Sequence, residues 1–239
     1  MIHDILLAVF PAFISAVVAY LLGSINTAII VTKIVTKGGN IKEMGSGNAG
    51  FTNVLRCVGK VPAIVTIICD FLKAVVAVLL SVLIFYLFDL VMGLNDSYIT
   101  VIMYIAGYFC ILGHMFPAYF HFKGGKGVVA AIGMICVLDW RTFLIVLGLF
   151  LIIFSITKII SVGSLLGALL YGPITFAVTY FFDYKPAIGT TNEISFAYVM
   201  VISCIALLAG LTVIVKHHEN INRIFHGEEK KITAKKKEN

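Results

Sequence analysis

The stretch VPAIVTIICDFLKAVVAVLLSVLIFYLF, Val61 to Phe88, decides the fold. Apart from Asp70 and Lys73 it carries no charge, and it exceeds the roughly 20 apolar residues that a helix needs to cross a bilayer. Asp70 and Lys73 stand three residues apart, so a helix places them on one face. Ionisable groups inside a span are costly and are either paired or functional. Both readings stay open for this pair: a structural ion pair, or support for a nearby site.

Working outward, similar apolar runs fall near 5–31, 98–116, 126–138, 142–157, 159–182 and 196–215. The run at 126–138 is the shortest, fitting a short tilted helix or half of a re-entrant pair. Across all 239 residues, 60% are hydrophobic, 13% are charged and the mean hydropathy is +1.04. Soluble domains carry about 25% charge, so this composition excludes an ordinary soluble enzyme or a nucleic-acid-binding module. The first residues, MIHDI, hold no lysine or arginine, and no small-x-small site follows, so the segment reads as a first membrane helix. The five cysteines are scattered with no metal-ligand spacing. They read as small buried apolar groups.

The fold class expected is therefore all-α: a polytopic membrane bundle of seven transmembrane helices forming one domain over 1–239. Lysine and arginine set the orientation. With the N-terminus outside and the C-terminus cytoplasmic, 32–60, 117–125, Lys158 and the tail fall inside. Of the 18 basic residues, only Arg141 and Lys185 then lie outside, with Lys73 inside a span. Residues 225–239, ending KKITAKKKEN, read as a solvated basic tail beside anionic headgroups.

Three polar clusters fall on that inner side. GSGNAGFTNVLRCVGK, Gly45 to Lys60, offers backbone approach at Gly45, Gly47 and Gly50. Ser46, Asn48, Thr52 and Asn53 add neutral hydrogen-bonding groups, and Arg56 adds a fork suited to phosphate. The plainer reading is a helix cap at Thr52 or Asn53, which explains one residue of the set. GHMFPAYFHFKGGKGV, Gly113 to Val128, contains KGGKG at the start of a span. Its Gly124, Gly125 and Gly127 can present N–H groups to an anion while Lys123 or Lys126 supplies charge. This is not a Walker A loop, because Gly127 follows the lysine. Alone, it also reads as a basic turn. KHHENINR, Lys216 to Arg223, brings two histidines that titrate near neutrality, or simply an interfacial helix.

Together with GSINTAII (23–30), DFLKA (70–74) and HHENINRIFHGEEKKI (217–232), these motifs resemble the bacterial acyl-phosphate:glycerol-3-phosphate acyltransferases, integral membrane enzymes of phospholipid synthesis. They occur in the family's order along almost the whole chain. Ala49 stands where the family has proline, Phe51 where a small residue is common, and Met115 where asparagine is usual. None of these changes removes a charged or hydroxyl group.

The resemblance implies acyl transfer from acyl phosphate to the 1-hydroxyl of glycerol 3-phosphate, in a bacterial inner membrane with the site facing the cytoplasm. It implies no cofactor, no metal and a monomer. The catalytic candidates are Ser46, His114, His217, Glu219 and Asn220. Candidates for substrate binding are Gly45, Asn48, Thr52, Asn53, Arg56, Lys123, Gly124, Gly125, Lys126 and Gly127. His114 and His217 compete as base with the substrate's own phosphate, and Ser46 is a weak candidate nucleophile. The rival reading is a membrane transporter of a small organophosphate anion, against which stand the crowding of polar groups at one interface and the lack of a repeat. Acyl-CoA enzymes with H-x-x-x-x-D are not matched, since no histidine here precedes an aspartate by five residues. An aspartate-rich metal motif, needed for a CDP-alcohol phosphotransferase, is also missing.

Overall fold

The computed structural model describes residues 2–94, 96–191 and 194–231, without side chains for 2–5. Every regular element among them is helical. They form two compact units, Met1–Trp140 and Arg141–Asn239, and each is described by itself.

The first unit begins with α1 (Ile2–Gly23) and α2 (Thr27–Val35). The break between them has a local cause: the Asn26 side chain caps α2 by accepting from Ile29 N at 3.1 Å. Then follow α3 (Phe51–Cys57) and α4 (Lys60–Met92), joined through Gly59 at φ +131°. α4 is the stretch that opened the sequence reading, extended at its end to a left-handed glycine, Gly93. α5 (Ile99–Met115) and α6 (Val128–Leu138) complete the unit.

α1 packs on α4 and α5, while α6 lies against α4 and α5. These approaches rest on small residues, as is usual where lipid supplies no hydrophobic drive between helices. A Cβ on Gly113 would collide with the Tyr20 carbonyl and Ser24 N, and one on Gly23 with the Cys110 backbone. The short helices α2 and α3 and the loop between them close over α4 around Ala28, Ile41, Ala49, Val54 and Ala63, all fully buried.

The second unit contains α7 (Trp140–Thr157, from Arg141 onward) and α8 (Ile160–Val178), which runs into a π-helical stretch at Thr179–Tyr184 and one further turn, α9 (Lys185–Ala187). α10 (Phe196–Lys216) and α11 (His218–Phe225) follow. α8 and α10 meet where Gly210 faces the Ala168 carbonyl and Gly172 faces Leu207. Arg141 binds Asp183 through two bonds of 2.9 and 2.7 Å. Of the two cations expected outside, this one is therefore already neutralised.

Among the described residues, six helical segments are long and apolar enough to cross a membrane: Leu6–Val35, Lys60–Met92, Asp96–Phe120, Trp140–Thr157, Ile160–Ala187 and Phe196–Lys216. Their outer faces present Phe10, Phe13, Leu72, Leu79 and Leu83 uncovered, as an integral membrane protein requires. The seventh expected span is α6, whose 11 residues rise only about 16 Å against a hydrocarbon core of about 30 Å.

If the small residues set helix spacing, Gly113→Leu will lower the thermal stability of the detergent-purified protein sharply, by about 1–3 kcal/mol or more. Gly148→Ala, with nothing within 4 Å of the added carbon, will leave the unfolding temperature unchanged or raise it.

Candidate functional site

In the first unit the site is built from the end of α5 upward. Lys73 and Asp70 do share a face of α4, and the Lys73 ammonium lies 2.8 Å from Asp70 Oδ1. It also lies 2.9 Å from His114 Nδ1 and donates to the Ile25 carbonyl at 2.9 Å. The contact with Asp70 is a charge pairing, since Asp70 Oδ1 accepts no hydrogen bond. An ammonium only donates, so His114 Nδ1 accepts and the imidazole proton sits on Nε2. His114 was a candidate base; in this arrangement its ring carries a proton on the nitrogen that faces the loop.

That loop is KGGKG. Nε2 of His114 lies where a Cβ on Gly125 would be, and the His114 carbonyl accepts from Gly125 N at 3.1 Å. The Met115 carbonyl accepts from Gly124 N at 3.2 Å. Gly124 and Gly125 were expected to offer their N–H groups to an anion. Instead they satisfy carbonyls at the C-terminal end of α5, which has no further helical turn to do so. Gly127, at φ +78°, caps α6, whose first-turn N–H groups lack intrahelical partners. Gly127 and the start of α6, with Lys123 and Lys126 beside them in sequence, remain the part of this segment whose N–H groups are not used by α5.

The GSGNAG loop turns through Gly45 and Gly47, at φ +58° and +68°. Asn53 holds it. Its Nδ2 donates to the Ile41 and Met44 carbonyls at 3.2 and 2.9 Å. Its Oδ1 accepts from Ser46 N at 3.0 Å and faces Cys57 Sγ at 3.6 Å. With every amide valence used inside the protein, Asn53 positions the loop rather than orienting a substrate oxygen. Nor does either expected residue cap α3: the N-cap is Gly50, with no side-chain bond. Gly45 and Ser46 are exposed, Asn48 and Thr52 half-buried, and Arg56 exposed on the last turn of α3.

The two loops meet. The Ala49 carbonyl lies against Gly125, and Lys42 Nζ reaches the Phe120 carbonyl at 3.3 Å. Burial, and then the charge of Lys123, hold the Lys42 amine below its ordinary value. Lys42 was missed in the sequence. The nearby Glu43 looks like its partner but instead accepts from Asn40 Nδ2 at 2.9 Å. The two lysines share a positive field at this meeting of loops.

The second unit holds KHHENINR. His217 is buried and its Nδ1 bonds the Val213 carbonyl at 2.8 Å, so Nδ1 carries the proton and Nε2 is the basic nitrogen. Asn220 donates to Glu229 at 2.6 Å, beside Ser161 at 2.5 Å and Arg223 Nε at 2.7 Å. Glu219, expected as an orienting partner, is 61% exposed and 3.9 Å from Arg223. A contact of that kind contributes only a few tenths of a kcal/mol. Glu229 takes the orienting place. The sequence reading put it in the solvated tail, but the chain turns at Gly227, φ +72°, and Glu228 N returns to the Arg223 carbonyl at 2.8 Å. The rest of the expected tail, 232–239, lies outside the described residues. Among the described residues no three His, Cys, Asp or Glu side chains are grouped to hold a metal.

Burial pushes the Glu229 carboxyl up, but bonds from Ser161, Arg223 and Asn220 and the Arg223 charge outweigh it and hold it below 4.5. A depressed carboxylate contributes stability fully above its unfolded value and loses it as pH falls through the folded one. Amide protection across 217–229, corrected for the intrinsic pH dependence of exchange, will therefore fall below about pH 4.5 in the native protein. Glu229→Gln will show faster exchange at neutral pH and a flatter response to acid.

Comparison with known proteins places these motifs. The protein family described as glycerol-3-phosphate acyltransferase matches residues 13–227. A glycerol-3-phosphate acyltransferase of Clostridioides difficile is 36% identical over 228 residues, 95% of this chain and 98% of its own. One from Bartonella henselae is 34% identical over 223 residues, 93% of this chain and 92% of its own. Among solved structures, the glycerol 3-phosphate form of PlsY (YgiH), an integral membrane glycerol 3-phosphate acyltransferase, is 29% identical with a TM-score of 0.70, covering 93% of this chain and 96% of that one. Its lysophosphatidic acid form is 28% identical with a TM-score of 0.68, covering 93% and 95%.

Proposed function

The chain belongs to the glycerol-3-phosphate acyltransferase family, and from that premise we propose that its acyl donor is acyl phosphate. The 1-hydroxyl of glycerol 3-phosphate attacks the acyl carbonyl. The carbonyl–phosphate bond breaks, inorganic phosphate leaves, and 1-acyl-glycerol 3-phosphate, a lysophosphatidate, is the product. The observation that carries this reading is the shared positive field of Lys42 and Lys123 where the two glycine loops meet. A donor that is a mixed anhydride is already activated, so positioning and charge stabilisation account for most of the catalysis.

Lys42, Arg56, Lys123 and Lys126 bind phosphate in this scheme, with Gly127 and the first turn of α6. Gly45, Ser46, Asn48 and Thr52 line the approach and orient substrate oxygens. The attacking hydroxyl's proton goes to a phosphate dianion of the substrate. His217, with Nε2 as its basic nitrogen, is the rival acceptor. The glycerol 3-phosphate and lysophosphatidic acid forms of PlsY support glycerol 3-phosphate as substrate and a lysophosphatidic acid as product.

The chain acts as a monomer in a bacterial inner membrane, with its site toward the cytoplasm. α6 is the short fourth of seven crossings, with the N-terminus outside. An even number of crossings would put the basic C-terminal tail opposite the basic segment 33–60.

Purified protein given glycerol 3-phosphate and acyl phosphate will release phosphate and lysophosphatidate, and acyl-CoA will not replace acyl phosphate. Activity only with acyl-CoA overturns the donor. Uptake of an organophosphate into liposomes without product supports transport instead. Lys42→Ala, Arg56→Ala and Lys126→Ala will each raise KM for a phosphate substrate about tenfold or more. Normal kinetics in all three folded variants would remove the phosphate site. His217→Gln will retain most of kcat if the substrate takes the proton.

A further inference from the structure

The reaction as written makes no use of Lys73, although burying its charge is expensive. Its side chain is 9% exposed and that of Asp70 is 3% exposed. Its ammonium is already engaged by the charge of Asp70, the Ile25 carbonyl and His114 Nδ1. Stability is a poor reason for it, because a buried ion pair gains little over apolar residues of the same volume. What it does determine is the state of His114.

Three features follow from the bond to Nδ1. The imidazole proton is held on Nε2. The ring is held with Nε2 against Gly125, at a point where any side chain would collide. The backbone of the same residue, and of Met115 after it, carries Gly125 N and Gly124 N. The KGGKG loop therefore stands on the last turn of α5 with the imidazole beneath it. Two further bonds hold the chain leading into the loop: Tyr20 Oη donates to the Phe116 carbonyl at 2.7 Å, and Ala118 N donates to Ser24 Oγ at 3.2 Å. Tyr20 lies in the last turn of α1 and Ser24 in the α1–α2 break, next to the Ile25 carbonyl that Lys73 holds. The ammonium is thus the common point of the three elements that support the loop.

We propose that Lys73 is a positioning residue for acyl transfer: acting through Nδ1 of His114, it keeps the imidazole under Gly125 and so holds the Lys123–Gly127 loop in the form that receives a substrate phosphate. This rests on the reading of that loop as a phosphate site.

Lys73→Met keeps most of the stem and removes the ammonium, leaving Nδ1 without its donor. The KM for the phosphate substrate that Lys126→Ala affects will rise about tenfold, with kcat within about threefold, as expected when a charge-assisted bond is lost behind a binding loop. Loss of folding alone has the opposite signature, a smaller active fraction with KM unchanged, and that result would overturn the proposal. His114→Gln and the double variant Lys73→Met/His114→Gln complete a cycle. If Lys73 acts through His114, the double variant is no worse than the worse single one. Effects that multiply mean independent roles and also refute it. Should Lys73→Met fail to fold, Asp70→Asn/Lys73→Met removes both charges and is assayed for the same split. Failure of the underlying reading looks different: Lys126→Ala then leaves both KM values unchanged.

Discussion

A charged amine in an apolar helix bundle needs polar partners and a counter-charge, and the first unit is organised around that need at Lys73. Asp70 comes from its own helix, one turn away. The Ile25 carbonyl is available only because α1 stops at Gly23 and α2 starts at Thr27, which leaves the backbone between them without helical partners. His114 is available because α5 approaches α1 closely at Gly113 and Gly23, where any side chain would hold the helices apart. The helix break, the small residues and the buried ion pair are one arrangement. Changing any of them leaves a charge or a carbonyl unpartnered in a low-dielectric interior.

The same economy shapes the loops. Glycine-rich segments invite the idea that every N–H faces a ligand. Here Gly124 and Gly125 satisfy the end of a helix, and what they provide to the site is space and shape. Asn53 likewise lies inside a motif rich in substrate-binding groups, yet its amide holds the chain that presents Ser46. Part of each motif supports the site from beneath, so fewer residues face the substrate than the motif suggests. Lys42 and Lys123 share a positive field where the loops meet.

In the second unit a carboxylate plays the corresponding part. Glu229 gathers Ser161, Asn220 and Arg223, fixing the junction of α10 and α11 just after His217. The hydrogen bond from His217 Nδ1 to the last turn of α10 sets the tautomer independently.

Composition alone determined that this chain lives in a membrane, because 13% charge cannot cover a soluble surface of this length. Hydropathy fixed the positions of six long helices to within a few residues, since apolar runs of about 20 residues have few alternatives in lipid. The order of the motifs indicated the family. Only the tertiary structure decided what individual polar residues do. Lys73 could be read as a partner of Asp70 three residues away, but not as a partner of Ile25 or His114, 48 and 41 residues away. Glu229 looked like tail because its partners lie on another helix and beyond a left-handed glycine. Lys42 was missed because its partner, the Phe120 carbonyl, lies 78 residues away in the chain. Periodicity reports which groups must leave water. The donors and acceptors they then find are set by helix packing, which brings together residues far apart in the chain.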